Sequence, residues 1–225
     1  MIIETLVNHS FEPLIENGTA RIGHGTLLSD VECLGPVSIG DRCSVRRTQL
    51  GRYFATGNYC QITDCQIGSF CSFGDNIILN AGNHPKNWLT THLFATNPNF
   101  WNWVKEYSTA PKSKLSFVWR RPSKIGNDVC ISNNVVVLTG ITIGDGVLIG
   151  ANSVVTEDVP PYCVVAGVPA TIKSKRFDEN TIQRLRNSKW WDNPIEILLG
   201  LPLNDVQRTL QMLEENAISK GIGSS

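Results

Sequence analysis

Residues 125–155 read IGNDVCISNNVVVLTGITIGDGVLIGANSVV, with an aliphatic residue at every sixth position: Ile125, Ile131, Val137, Ile143, Ile149 and Val155. Small residues follow four of them, at Gly126, Ser132, Gly144 and Gly150. A repeat of six matches neither the 3.6-residue turn of an α-helix nor the two-residue alternation of a strand. A chain that turns a corner every six residues does satisfy it. Each aliphatic then points into a prism-shaped core, and the small residue after it lets the backbone bend. This is the signature of a parallel β-helix.

The beat recurs upstream with one-residue slips. Ile22-Gly23, Leu28-Ser29 and Leu34-Gly35 are in step, and Ile39-Gly40 comes one residue early. Val45, Leu50-Gly51, Ile62-Thr63, Ile67-Gly68, Phe73-Gly74 and Leu79-Asn80 continue it. Such slips are tolerable at corners, because each coil contacts mainly its neighbours. The expected fold is mainly β, a β-helix domain over residues 1–170 with a long loop excursion at 80–124, then a helical cap over 171–225. Residues 1 to about 20 read as an opening strand or cap.

The excursion has no six-residue beat and carries Trp88, Phe94, Phe100, Trp101, Trp103, Tyr107, Phe117 and Trp119. It reads either as a loop packed by its own aromatics or as a flap over a substrate or partner. Beyond Pro169 the pattern turns helical. Asp178 is placed to cap a helix whose apolar stripe is Ile182, Leu185 and Trp190, with Trp190-Trp191 and Pro194 ending it. A second helix is expected from Leu203 to about Glu215, with Val206, Leu210 and Leu213 on one face. Residues 221–225 read as disordered. A helical cap would cover the open end of the coils, where strand edges and apolar core are exposed.

Twenty basic and 20 acidic residues cancel, which removes the electrostatic case for nucleic acid. The N-terminus lacks the pattern of a signal peptide, and no apolar run approaches the roughly 18 residues of a membrane span. The seven cysteines include no CxxC pair. Cys43, Cys71 and Cys130 fall where the repeat wants small residues and read as buried thiols, which suits a reducing cytoplasm. The four histidines, His9, His24, His84 and His92, show no spacing for a shared metal, so a zinc hydratase is disfavoured and no metal is expected.

Asn83-His84-Pro85 stands just past the last coil of the first block, after Asn80-Ala81-Gly82. Histidine is the side chain best suited to take a proton at neutral pH, and this one lies at the root of the excursion.

Here the chain resembles the hexapeptide-repeat acyltransferases, and among them the xenobiotic acetyltransferase group. The matching residues are Asn80-Ala81-Gly82-Asn83-His84, Ile125-Gly126-Asn127-Asp128-Val129, Ala166-Gly167-Val168-Pro169-Ala170 and Lys175-Arg176-Phe177-Asp178, with Thr181-Ile182 and Lys189-Trp190-Trp191. They span roughly residues 50–198. The resemblance implies a homotrimer of left-handed β-helices with acetyl-CoA bound in clefts between subunits, and His84 as the base that deprotonates an acceptor hydroxyl. It places Ala151 and Thr156 along the pantetheine arm, Asn133 and Gly140 in the same channel, and Ala166, Gly167 and Pro169 near the nucleotide. Lys173 and Lys175 are cations suited to the phosphates. Asn80, Asn83 and Tyr53 fall on the acceptor side.

Cys130 stands where the group often has an aromatic, which alters one wall of the expected thioester channel. Two further departures bear on the acceptor: the excursion is longer and richer in Trp, and more coils precede residue 50. They favour O-acetylation of a carbohydrate or sugar nucleotide. The alternatives are chloramphenicol or streptogramin acetylation, N-acetylation of a sugar, and a non-catalytic scaffold.

Overall fold

In the computed structural model, which describes every residue except 11–13, 17, 98, 112–114 and 220–225, the six-residue beat winds into a parallel β-helix. The aliphatics of the beat stack in three inward columns. One runs through Ile22, Ile39, Phe73, Ile131 and Ile149, a second through Leu28, Val45, Ile62, Leu79 and Val137, a third through Leu50, Ile67, Ile125 and Ile143. All belong to one continuous buried core. Only alternate residues of each short strand can face inward, so the strands read buried, half-exposed, buried, as in Val37–Ile39 and Phe54–Thr56.

On the first face, seven parallel strands from Ala20–Ile22 to Cys163–Ala166 are bracketed by two antiparallel ones, Leu14–Glu16 and Thr171–Lys175. The opening strand is Ile2–Val7, antiparallel to Leu27–Cys33. The slips have a single origin. In the first block the step across one corner is five residues, Leu28 to Cys33, Val45 to Leu50 and Ile62 to Ile67, with Asp30, Arg47 and Asp64 at positive φ there. Equivalent residues are therefore 17 apart before the excursion and 18 apart just after it, and the last coil shortens to 16, from Ile143 to Val159 and Ile149 to Val165.

Coils are held by side chains as well as by ladder hydrogen bonds. The Oδ1 atoms of Asp41, Asn58 and Asp75 each accept from a backbone N–H one coil below, at 2.8, 2.8 and 2.6 Å. The small residues at the corners are a steric requirement: a Cβ on Gly40 would lie 2.2 Å from the Gly57 carbonyl oxygen.

Three expectations are corrected. Leu34 is 57% exposed, because the five-residue step hands its inward place to Cys33. Cys130 is exposed, since it sits one residue before inward-facing Ile131 and so points outward. The helices do not roof the end of the coils. That strand edge is paired by Thr171–Lys175, and the helices lie against one corner of the prism instead. There Arg52 donates to the carbonyls of Trp191, at 3.1 Å through Nε, and of Asn193. The expected cap is present: Asp178 accepts from the Thr181 N–H at 2.9 Å and starts the helix Glu179–Ser188. The second helix is Val206–Ser219, with Leu210 and Leu213 buried. Residues 221–225 lie outside the described residues.

Replacing Gly40 by Ala should cost about 1–3 kcal/mol or more, because the methyl group has only backbone to displace. Gly200→Ala, whose nearest neighbour would be the Ile197 oxygen at 3.5 Å, should change stability by less than about 0.5 kcal/mol. Urea unfolding of the two variants checks the contrast.

Candidate active site

The excursion leaves the second column after the strand Ile78–Ala81 and returns at Ser123–Ile125. Both ends are fixed by one polar cluster. The Asn80 amide donates to the carbonyls of Thr63, at 2.8 Å, and Asp64, at 3.3 Å. Its Oδ1 accepts from Ser123 Oγ at 3.0 Å and from the Gly140 N–H at 3.2 Å. Ser123 Oγ accepts in turn from the Gly140 and Ile141 amides, and the Arg120 guanidinium donates to the Asn80 carbonyl at 3.1 Å. Asn80 is 1% exposed. Its side chain is spent inside the wall, so it positions the loop rather than meeting an acceptor.

Beyond this cluster the two arms of the excursion pair once more, as the Asn83 N–H donates to the Trp119 carbonyl at 2.8 Å. That pairing delivers His84. Its backbone N–H donates to Asn83 Oδ1 at 2.8 Å, and its Nδ1 lies 3.0 Å from the Thr91 carbonyl. A carbonyl only accepts, so Nδ1 carries the proton and Nε2 of the neutral ring keeps its lone pair. Trp119 packs edge-on against the imidazole, with ring centres 4.7 Å apart. The ring is exposed to solvent. This geometry suits a proton acceptor at Nε2.

Trp119 and Thr91 are site residues that sequence reading missed. Trp119 figured only as one of the loop aromatics, and a main-chain carbonyl leaves no trace in a sequence. The aromatics do pack on one another, through Trp88–Phe117–Trp119 on one side and His92–Trp101–Trp103 on the other. The reading of a loop packed by its own aromatics therefore holds.

The residues expected to meet coenzyme A divide between two corners. Asn133, Ala151 and Gly167 stack in one column on successive coils, beside Ala166 and Pro169. Asn133 and Ala151 border a shallow groove of about 470 Å³, floored by small residues including Gly74 and Ser132 and by exposed Cys130. Gly140, at positive φ, and exposed Thr156 lie at the next corner, the one that launches the excursion. On the terminal strand, Lys173 donates to Thr171 Oγ1 at 2.9 Å, and Lys175 is engaged by Glu179. Tyr53 is remote from His84 within the chain. It occupies the third corner, stacked on Phe70 at 5.1 Å where the C-terminal helices dock. Among the described residues no group of acidic, histidine or cysteine side chains is arranged to hold a metal.

Residues 122–157 match the bacterial transferase hexapeptide family (six repeats). The chain is 41% identical over 141 residues to a chloramphenicol acetyltransferase of Agrobacterium fabrum, covering 61% of this chain and 64% of that one. It is 37% identical over 128 residues to a probable macrolide acetyltransferase of Lysinibacillus sphaericus, covering 56% of this chain and 68% of that one. The chain thus spans a little under two thirds of the first relative. The fold is also that of a GDP-perosamine N-acetyltransferase from Caulobacter crescentus, solved with CoA and GDP-perosamine, at a TM-score of 0.50 and 18% identity over 70% of this chain and 57% of that one. A recurring six-residue beat, together with a 37% identical relative matched over 68% of its length, places this chain in the hexapeptide-repeat transferase family.

Proposed function

We propose that this protein transfers an acetyl group from acetyl-CoA to a hydroxyl of a small acceptor, with His84 as the general base. The observation that carries the reading is the contact of His84 Nδ1 with the Thr91 carbonyl at 3.0 Å, which in the neutral ring leaves the Nε2 lone pair free to take a proton. An alcohol ionises far above pH 7, so attack on a carbonyl needs a base within hydrogen-bond reach. His84 takes the hydroxyl proton as the acceptor oxygen attacks, and the imidazolium returns it to the departing thiolate. Acetyl-CoA supplies the activated acyl group, so the protein needs no nucleophile of its own. Corner amides of the coils are the candidates to receive the developing oxyanion.

The groove beside Asn133 and Ala151 fits an extended pantetheine chain because small side chains floor it. In one chain that groove and His84 lie at different corners. Their separation supports the reading of a homotrimer whose clefts join the His84, Gly140 and Thr156 corner of one subunit to the Asn133, Ala151, Ala166, Gly167 and Pro169 corner of the next. Lys173 is the cation proposed for the CoA phosphates; Lys175, engaged by Glu179, is the weaker candidate. Free thiols throughout suit a cytoplasmic setting.

For the acceptor, a carbohydrate or sugar nucleotide accords with the aromatic surroundings of His84, since the faces of Trp and Phe pack against sugar C–H surfaces. The names of the two relatives favour a second reading, a drug such as chloramphenicol or a macrolide. A panel of sugars, sugar nucleotides and these drugs, assayed by mass shift with acetyl-CoA, should show turnover of a carbohydrate hydroxyl. Turnover of chloramphenicol alone would establish the second reading.

His84→Ala should lower kcat by about 10²–10⁴-fold while leaving the affinity for CoA near wild type. An unchanged rate in that variant would remove the base assignment. Light scattering should give about three times the 24.8 kDa chain mass. When His84→Ala and Ala151→Trp subunits, each inactive alone, are refolded together, activity should reappear; none would return if each chain held a whole site.

A further inference from the structure

A second cavity lies at the third corner of the prism, away from the excursion. It lies between the coils and the C-terminal helices and has a volume of about 470 Å³, within the usual range for small-molecule sites. Most of its wall is apolar, formed by Phe70, Trp190, Leu185, Leu198 and Leu213. Leu199 and Leu203 also line it and are largely exposed, which puts them on its open side.

One part of the wall differs in chemistry. Tyr162 lines the cavity, is 1% exposed, and its hydroxyl has no hydrogen-bond partner among the described residues. The Trp190 indole lies close enough to affect the phenol but outside hydrogen-bond geometry. Burial pushes the phenol up to about 12, so it stays protonated and able to donate. Beside it, Arg176 donates to Asp128 Oδ2 at 2.9 Å and to the Gly146 carbonyl at 2.8 Å, and its guanidinium stands 5.5 Å from the Tyr162 ring centre. The Asp128 carboxyl is raised above its ordinary value, first by burial.

An unsatisfied buried hydroxyl costs about 1–3 kcal/mol, a penalty that a well-packed core avoids. Here the residue that carries it lines a space large enough to supply the partner.

We propose that this cavity binds a small neutral amphiphile, with an apolar body of about ten carbon atoms or fewer and one hydroxyl or phenol head. The body packs against the leucines and Phe70. The head accepts from the Tyr162 hydroxyl and donates to the Asp128 carboxylate, while Arg176 keeps the carboxylate compensated. A carboxylic or phosphate head is disfavoured, because Arg176 is already paired and Asp128 would repel it. This site is independent of the acyl-transfer reading, which rests on residues at the other two corners.

The probes are 4-butylphenol and its headless analogue butylbenzene, titrated calorimetrically into the full-length protein. The wild type should bind one 4-butylphenol per chain saturably, about tenfold more tightly than butylbenzene. Tyr162→Phe keeps the ring and should erase that preference, leaving both probes bound alike. Its thermal midpoint should not fall, because the variant loses only an unpartnered hydroxyl. Leu198→Trp, which fills the space, should abolish binding, and His84→Ala should leave it unchanged. The proposal is overturned by absence of saturable binding in the wild type, by a head-group preference that survives Tyr162→Phe, or by binding that is lost in His84→Ala.

Discussion

The distance between successive coils governs everything else in this molecule. Neighbouring parallel strands sit roughly 4.8 Å apart, so a corner that turns inside that spacing has no room for a side chain pointing along the axis. A Cβ at Gly51 would meet the Gly68 carbonyl carbon at 2.3 Å, and one at Gly126 the Asp145 nitrogen at 2.6 Å. The same closeness lets one Asn or Asp oxygen reach the amide of the coil below, so polar corners become ladders rather than buried liabilities. Apolar columns, glycine corners and amide ladders are three results of one stacking distance.

That constraint explains what the sequence made legible. The columns through Ile131 and Ile143 could be read because every sixth residue from Ile125 to Val155 is aliphatic and buried, and the Asp178 cap because its chemistry is local. Leu34 was misplaced because apolar residues on either side of a five-residue step look alike until a hydrogen-bond register chooses between them. Cys130 misled for a similar reason: small size suits an outward position beside a corner as well as an inward one. The helices were assigned to the correct residues and the wrong surface. Their stripe of Ile182, Leu185 and Leu210 shows that they bury something, but not that Tyr162 and Phe70 form the partner surface.

The candidate site was half legible. His84 could be picked out by its place at the root of the excursion. Its orientation could not, since the deciding contacts are a main-chain carbonyl at Thr91 and the edge of Trp119, both brought back by long-range folding. Asn80 shows the converse. Its place in a local motif suggested contact with a ligand, whereas its amide is consumed in joining the Thr63, Ser123 and Gly140 segments. The placement of His84 thus depends on a buried asparagine that anchors the base of the excursion.

The join at Asn80, Ser123 and Gly140 has a further consequence. Coil length changes from 17 to 18 residues across the very corner where the excursion departs. The solenoid therefore treats residues 82–122 as an appendage clamped at its base, and ladder pairing resumes unaltered at Lys124 and Ile125. Such a clamp lets the length and composition of the appendage drift over generations without disturbing the scaffold beneath. A lineage could thus rewrite one insert while the coils beneath it are inherited intact.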